Sequence, residues 1–166
     1  MILMKGVLLH GGFGTRLRPL THTGPKQLVR VAGKPVSEWC LEDLRDSGVC
    51  EVAVILGELA PLRVVDFYGD GGGLGLKFKL TYVYQGYPYG LAHAVYIAKD
   101  FVGDETFVVY LGDNLLIDGI KQFVGFVHSA TAPFADKNPF IGVFTYPLLN
   151  VIAFPTFPVL LNVSVP

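Results

Sequence analysis

Charged residues are scarce in this sequence of 166 residues: they make up 16% of it, whereas hydrophobic residues make up 51%. This composition excludes an intrinsically disordered chain, because such chains combine low hydrophobicity with abundant charge. Neither sign of charge is in excess, since the formal net charge is −1. A chain without a surplus of lysine and arginine has no general positive field, so we expect neither a nucleic-acid partner nor binding to an anionic membrane surface.

Cysteine is also rare, and its two positions, Cys40 and Cys50, follow no metal-binding or redox spacing. We therefore expect both residues to be small buried thiols. The N-terminal apolar stretch is short, because Lys5 interrupts it before the glycines that follow. It does not have the pattern of a secretory signal peptide, and we expect a cytoplasmic protein.

Patterns typical of strands and helices alternate along the chain as far as Ser129. Apolar runs predict buried strands at 6–9, 52–56 and 107–111, with a further strand at 77–84. Apolar residues at helical spacing predict helices at 36–47, 62–68, 91–98 and from Ile120 through Phe123, Val124 and Val127. This alternation predicts an α/β fold, a doubly wound and mainly parallel sheet with helices on both faces. Ligands of such sheets collect at the carboxyl ends of the strands.

The character of the sequence changes after Ser129, which predicts a boundary between a domain at 1–129 and a divergent apolar tail at 130–166. Residues 138–166 contain no charged residue, and five prolines punctuate them. The prolines count against a single transmembrane helix, because a proline inside a helix costs about 3 kcal/mol. Three interpretations remain open: strands of an incomplete sheet, a segment associated with a membrane, or residues translated out of frame.

A glycine-rich loop follows the first predicted strand. Its residues are Gly11, Gly12, Gly14, Thr15 and Arg16. Glycines let the backbone turn tightly and bring its N–H groups close to phosphate oxygens, while a guanidinium can bind phosphate through two hydrogen bonds. Lys26 adds a second cation after a proline. Taken alone, the loop is an ordinary glycine turn beside two surface cations, and the dinucleotide-binding fingerprint fails because Leu17 stands where it requires glycine.

The loop belongs to a longer string, GGFGTRLRPLT at 11–21, which is followed by GPKQL at 24–28 and GKP at 33–35. Together these segments resemble the signature of the sugar-1-phosphate nucleotidylyltransferases. Two later segments, YQGYPYGLAHA at 84–94 and YLGDN at 110–114, agree with it. Within the family, the sequence is most similar to the long form of the glucose-1-phosphate thymidylyltransferases. The resemblance implies a Rossmann-like fold that is incomplete at its C-terminus.

The resemblance also implies roles for individual residues. It assigns nucleotide binding to Gly11, Gly12, Gly14, Thr15, Arg16, Gln85 and Gly90. It makes Arg16 and Lys26 the catalytic residues. Arg16 would neutralise the charge of the departing pyrophosphate, and Lys26 would hold the sugar phosphate against the α-phosphate. Gln85 would recognise the base, and Asp113 would be a ligand of Mg²⁺. The implied substrates are dTTP (or UTP) and glucose 1-phosphate, the implied products are dTDP-glucose and pyrophosphate, and the family usually assembles into homo-oligomers.

Several positions depart from the family pattern. His10 stands where alanine is usual, so its imidazole either crowds the nucleotide or packs into the core. The Glu-Lys-Pro segment that binds the sugar is missing, and the second metal carboxylate has no counterpart, since Asp136 is the only acidic residue after Asp118. Two hypotheses follow: an impaired glucose-1-phosphate thymidylyltransferase, or a remnant that binds a nucleotide without transferring it.

Overall fold

A mainly parallel β-sheet organises the part of the chain that the computed structural model describes, residues 4–76, 79–122, 124–125 and 151–154. The strands are β1 (Met4–His10), β2 (Arg30–Val31), β3 (Lys34–Pro35), β4 (Glu51–Gly57), β5 (Lys79–Gly86), β6 (Thr106–Leu111) and β7 (Val151–Phe154). Strands β2 and β3 form a separate antiparallel pair, and the other five lie side by side in the order β5-β4-β1-β6-β7. Strand β7 is antiparallel to β6, whereas all other neighbours in this sheet are parallel. The predicted doubly wound, mainly parallel α/β fold is confirmed.

Four α-helices with complete bounds lie between the strands in the described ranges. They are α1 (Val36–Asp46), α2 (Pro61–Tyr68), α3 (Leu91–Tyr96) and α4 (Lys99–Val102). Helix α1 ends where predicted, because Gly48 takes a φ of +84° and its N–H donates to the Arg45 carbonyl at 3.0 Å. The helix predicted at 91–98 corresponds to α3, which ends two residues earlier at Tyr96. Helix α4, which follows at Lys99–Val102, was not predicted. The helix predicted from Ile120 is described at 121–122 and 124–125, and Phe123 and Val127 of that prediction lie outside the described residues.

The core lies on both faces of the sheet because successive side chains of a strand point to opposite sides. Leu8 of β1 packs in a cluster with Leu41 and Leu44 of α1, and this cluster also includes residues of α2. Val7 of β1 packs on the other face, in a cluster that includes Ala94 of α3 and residues of α4. The two clusters explain why the strands are nearly continuous apolar runs.

The apolar tail contributes β7 to the sheet. Residues 151–154 pair with β6, which supports the strand interpretation at those positions. The rest of 130–166 lies outside the described residues. No helix within the described ranges is long and apolar enough to cross a membrane. The cysteine prediction is right for Cys40, which is buried, but Cys50 is only half-buried because it lies in the loop before β4.

Candidate functional site

The carboxyl ends of the parallel strands open into a cleft with a volume of about 260 Å³. Three groups of segments meet there: the glycine loop after β1, the 3₁₀ turn Lys26–Leu28, and the residues that follow β5 and β6. The lining residues that the sequence nominated are Gly11, Gly12, Lys26, Gln85, Gly90 and Asp113. They converge because parallel strands bring the loops after their carboxyl ends to one edge of the sheet.

The glycine loop lies against the end of β4. A Cβ atom added at Gly57 would be 2.9 Å from the Cα atom of Gly11, so this close approach requires glycine. Two hydrogen bonds anchor the loop: Gln27 Nε2 donates to the Gly11 carbonyl at 2.7 Å, and Thr21 Oγ1 donates to the Gly14 carbonyl at 2.7 Å. Both carbonyl groups are thereby satisfied by the protein, which holds the loop at each end.

Lys26 and Asp113 form an ion pair at the cleft. The two side chains are 27% and 32% exposed, respectively. An ion pair this accessible to water contributes at most about 1 kcal/mol, because the solvent screens the attraction. The pair therefore opens at little cost, and both charges remain available to a ligand.

Gln85, at the end of β5, uses the donors of its amide within the protein. Its Nε2 atom lies 3.3 Å from the Gly90 carbonyl oxygen and 3.2 Å from His93 Nδ1. An amide nitrogen only donates, so the carbonyl oxygen and the ring nitrogen are the acceptors. The other amide atom, Oε1, faces the glycine loop, where a Cβ atom on Gly11 would lie 3.2 Å from it. Gln85 thus presents an acceptor to the cleft.

The remaining predicted residues lie beside the cleft. Thr15 and Arg16 are exposed on the 3₁₀ turn Thr15–Leu17 and are not among the described residues that line it. Gly14 packs on the Lys26 side chain, since an added Cβ atom would lie 3.1 Å from Lys26 Cβ. The structure therefore brings six of the nine predicted site residues together, and leaves Gly14, Thr15 and Arg16 at the edge.

The side chain of His10 is 2% exposed and lies outside the set of described residues that line the cleft. Its Nε2 atom is 3.0 Å from Ser37 Oγ, which is also 2.9 Å from the Gln27 carbonyl oxygen and 2.6 Å from the Tyr68 hydroxyl. Ser37 has one hydrogen to donate, and the carbonyl can only accept it, so His10 and Tyr68 must be the donors to Ser37 Oγ. His10 therefore carries its proton on Nε2.

Burial lowers the pKa of His10 to about 4, and the nearby Asp113 charge opposes this shift only in part. The imidazole is consequently neutral near pH 7. Its second nitrogen, Nδ1, is buried without a hydrogen-bond partner among the described residues, which a neutral ring tolerates better than a charged one because Nδ1 then carries no hydrogen. Of the two interpretations of His10, the structure supports the packed core.

Three buried polar residues support the site without a role in the sequence prediction: Thr21, Gln27 and Ser37. Thr21 and Gln27 lie within the segments that resemble the family signature, and their place in those segments could have indicated a role at the site. Ser37 carries no such signal, because a serine in the first turn of a helix is unremarkable. Its role depends on the contacts that α1 makes with β1 and the Lys26–Leu28 turn.

Asp113 is the carboxylate through which the cleft could hold a metal ion. The described ranges contain no cluster of three or more His, Cys, Asp or Glu side chains suited to a metal. A site made by the protein alone is therefore not built in these ranges. Mg²⁺ commonly binds through one or two carboxylates together with substrate phosphates and water, and a single carboxylate in a cleft that the glycine loop also lines fits that mode.

Comparison with known proteins places these residues in a family. The Nucleotidyl transferase family model matches residues 5–140. The low-salt glycan biosynthesis nucleotidyltransferase Agl11 of Haloferax volcanii is 56% identical over 121 residues, which cover 73% of this chain and 33% of that protein. A glucose-1-phosphate thymidylyltransferase of Streptomyces antibioticus is 50% identical over 121 residues, with the same shares of 73% and 33%.

A solved structure gives the same result for the fold. It is a Bacillus anthracis protein assigned as a glucose-1-phosphate thymidylyltransferase, crystallised with sucrose, and it is 33% identical with a TM-score of 0.71. The match covers 76% of this chain and 50% of that one. The present chain spans about a third of the length of the curated relatives named above. On the family match, the two relatives and the shared fold, the chain belongs to the nucleotidyl transferase family.

Proposed function

We propose that this chain holds the nucleoside-triphosphate half of a sugar-1-phosphate nucleotidyltransferase, which transfers dTMP from dTTP to glucose 1-phosphate and releases pyrophosphate. The observation that carries the proposal is the meeting of the glycine loop, Lys26, Asp113 and Gln85 in one cleft. Backbone N–H groups, a cation, a carboxylate and an amide are the groups that a triphosphate, its divalent cation and a base require. The names of the relatives support the same class of reaction.

Nucleotide binding would exchange the partners of the Lys26–Asp113 ion pair. In the absence of ligand the two charges neutralise each other. When a triphosphate enters with its cation, Lys26 gains phosphate oxygens and Asp113 gains the cation. The exchange is favourable because the original pair is accessible to water and weak, whereas contacts to a multiply charged triphosphate are charge-assisted.

Mg²⁺ would be held by Asp113 and by phosphate oxygens, and it would supply positive charge that offsets the charge of the triphosphate. Arg16 is the second cation of the glycine loop, on the exposed turn beside the cleft. Its guanidinium would contact the β- and γ-phosphates, which extend out of the cleft toward solvent in this proposal. Thr15, Gly14 and the loop backbone would contact the same phosphates.

The reaction needs no nucleophilic side chain. An oxygen of the sugar phosphate forms a bond to the α-phosphorus, the bond from that phosphorus to the bridging oxygen breaks, and pyrophosphate leaves with the electron pair. Lys26 would lie between the two phosphates that react and reduce their repulsion. Placement of the reactants and stabilisation of charge account for catalysis of this kind.

The orientation of the Gln85 amide favours binding of a base that presents an N–H group. Because its Oε1 atom is the acceptor left to the cleft, thymine and uracil, which carry a hydrogen on N3, fit better than cytosine, whose N3 is itself an acceptor. We expect dTTP and UTP to bind at least about tenfold more tightly than dCTP, which corresponds to one well-made hydrogen bond against a repulsive contact. Equilibrium dialysis with the three nucleotides measures this difference. Equal affinities would show that the amide does not read the base.

Pyrophosphate release by the 166-residue chain, supplied with dTTP, glucose 1-phosphate and Mg²⁺, tests the proposed reaction. We expect Asp113→Asn to lower the rate by about 100-fold or more, because loss of a carboxylate that holds the cation weakens the stabilisation of the transition state. Asp118→Asn is the matched control, since Asp118 is an exposed carboxylate on a loop outside the cleft. A rate that is the same for both variants would contradict the role of Asp113.

Nucleotide binding without transfer is a second candidate function. It is favoured by the lining of the cleft, in which Asp113 is the one carboxylate among the described residues. The two candidates differ in one pair of measurements, dTTP affinity and pyrophosphate release. Binding of dTTP that depends on Lys26, together with no release by any variant, would select the second candidate.

A further inference from the structure

A row of aromatic side chains connects the two walls of the cleft. The ring of Phe13, in the glycine loop, meets the ring of Tyr87 edge to face, with 6.3 Å between centroids. Tyr87 is 5.2 Å from Tyr89, and Tyr89 meets His93 of α3 at 5.3 Å, again edge to face. His93 accepts the hydrogen bond of Gln85 described above. We call these four residues, Phe13, Tyr87, Tyr89 and His93, the aromatic bridge.

The bridge joins two stretches of backbone that are soft by themselves. Gly12 and Gly14 flank Phe13 with φ values of +92° and +61°, and Phe13 is the sole residue with a side chain between Gly11 and Gly14. Tyr87 lies in a second such stretch, between Gly86 and Gly90, both also at positive φ. Glycine lowers the cost of these conformations but leaves the chain many alternatives, so each stretch gains order from a contact outside itself.

The exposure of the tyrosines argues against a role in the core. Tyr87 is 58% exposed and Tyr89 is 72% exposed, so their rings contribute little burial to the described fold. Pro88 and Gly90 in the same stretch line the cleft. The rings therefore lie next to the candidate site, and their mutual contacts run from the loop that would hold phosphates to the amide that would hold the base.

We propose that the Phe13–Tyr87 contact positions the glycine loop for nucleotide binding, and that the aromatic bridge thereby couples the phosphate-binding and base-binding walls of the cleft. The proposal rests on the proposed function for the identity of the ligand, whereas the positioning of the loop by Tyr87 does not. Phe13 and Tyr87 are positioning residues in this scheme. They act through the backbone of residues 11–14 and through Gln85, and need no contact with the nucleotide.

Nucleotide affinity provides the first test, measured by calorimetry with dTTP and Mg²⁺ on the 166-residue chain. We expect Tyr87→Ala and Phe13→Ala each to weaken binding by about threefold to tenfold, the range that corresponds to one aromatic pair. The double variant should bind no more weakly than either single variant, because both remove the same contact. Tyr87→Phe keeps the ring and should restore the affinity of the unsubstituted chain. Additive losses would show separate contacts with the ligand and would overturn the proposal.

Tyr96→Ala is the matched control, because Tyr96 is an equally exposed tyrosine on α3 outside the aromatic bridge. It should leave the affinity for dTTP unchanged. Hydrogen–deuterium exchange of the chain without nucleotide provides the second test. We expect amide exchange at residues 11–16 to be at least about threefold faster in Tyr87→Ala than in the unsubstituted chain, Tyr87→Phe or Tyr96→Ala.

The two measurements separate the two ideas that they test. If the unsubstituted chain does not bind dTTP, the proposed function fails, and the exchange rates still decide whether Tyr87 positions the glycine loop. If dTTP binds but Tyr87→Ala changes neither affinity nor exchange at residues 11–16, the positioning proposal fails while the proposed function stands.

Discussion

His10 shows how a single residue acquires its chemistry from packing. His10 is the last residue of the buried strand β1 and precedes the glycine loop, and its Nε2–H donates to Ser37 Oγ at 3.0 Å. Ser37 Oγ donates a hydrogen bond to the carbonyl of Gln27, and the side chain of Gln27 donates in turn to the Gly11 carbonyl. The neutral imidazole is thus one support of the turn that carries Lys26. Such a ring does not accept a proton readily, because a charged imidazole in this place would be desolvated.

The depressed pKa of His10 predicts a loss of stability in mild acid. The unfolded chain takes up this proton near the ordinary pKa of 6.5 and the folded chain only near 4, so between those values the unfolded state binds more protons. Lowering the pH from 7 to 5 should therefore reduce the free energy of unfolding by about 2 kcal/mol through His10. Urea unfolding at the two pH values measures the change.

Substitution of the histidines isolates this contribution. His10→Gln should remove about 2 kcal/mol of the difference between pH 7 and pH 5, while the exposed His22, replaced in His22→Gln, should leave the difference unchanged. The same pH dependence in all three chains would contradict the assignment of a neutral, buried His10.

At the scale of elements, the site depends on how closely β4 approaches the loop after β1. Gly57 ends β4, and the Gly11 Cα atom lies 2.9 Å from the position that a Cβ atom of residue 57 would take. The close approach brings the end of a central strand against the loop that would hold phosphates. Glycine is therefore needed at residue 57 because of the limited space, and not for its backbone conformation, since the φ of Gly57 is not positive.

Gly57→Ala should disturb both stability and binding. The added methyl would lie 2.9 Å from Gly11 Cα and 3.2 Å from Gly12 N, which are backbone atoms that cannot rotate away. We expect a loss of about 1–3 kcal/mol in the free energy of unfolding, the usual cost of overpacking, and weaker binding of dTTP. Gly73→Ala is the control, because its added methyl meets no described atom within 4 Å. If the two variants unfold and bind alike, the close approach of β4 does not constrain the loop.

At the scale of the whole molecule, one sheet supports two apolar clusters. Leu44 of α1 and Phe107 of β6 are fully buried in different clusters, on opposite faces of the strands. Because both clusters use side chains of β1, β4 and β6, neither can form without the sheet. The described part of the chain should therefore unfold as a unit.

Replacing a large side chain of either cluster by alanine tests this cooperativity. Leu44→Ala should lower the free energy of unfolding by about 2–5 kcal/mol and Phe107→Ala by about 3–5 kcal/mol, because each leaves a cavity in a closed core. Both should shift one and the same transition, seen by circular dichroism and by intrinsic fluorescence together. Ile117→Ala, at a side chain that is 99% exposed, should have no effect. Separate transitions for the two faces would show that the clusters form independently.

Sequence-based predictions succeeded for features that neighbouring residues in the chain determine, and were less accurate for features that depend on the folded structure. The strands at 6–9, 52–56 and 107–111 were predictable because a buried parallel strand is apolar on both faces, and each was found one to three residues longer in total. The helix predicted at 91–98 was found as α3 but ends at Tyr96, and a separate helix that was not predicted, α4, begins at Lys99. Apolar spacing continues across this break, so periodicity alone could not show it.

The candidate site was predictable in its parts and not in its contacts. Gly11, Gly12, Lys26 and Asp113 were nominated from sequence strings and line the cleft, whereas the rest of the glycine loop lies at its edge. The ion pair between Lys26 and Asp113 was not predicted, because it joins two segments that meet only when β1 and β6 lie side by side. The sequence assigned base recognition to Gln85, but it could not show that Gly90 and His93 take the donors of its amide in the folded chain.

The amino-acid sequence by itself determined the family, the alternation of strands and helices, and the loop that turns after β1. These features follow from local requirements, since apolar runs must be buried and a tight turn near phosphate needs glycine. Only the tertiary structure decided that His10 is a neutral part of the core, that Gln85 presents an acceptor, and that Phe13 meets Tyr87. Each of these depends on distances between segments far apart in the chain, which only the packing of the sheet and its connections establishes.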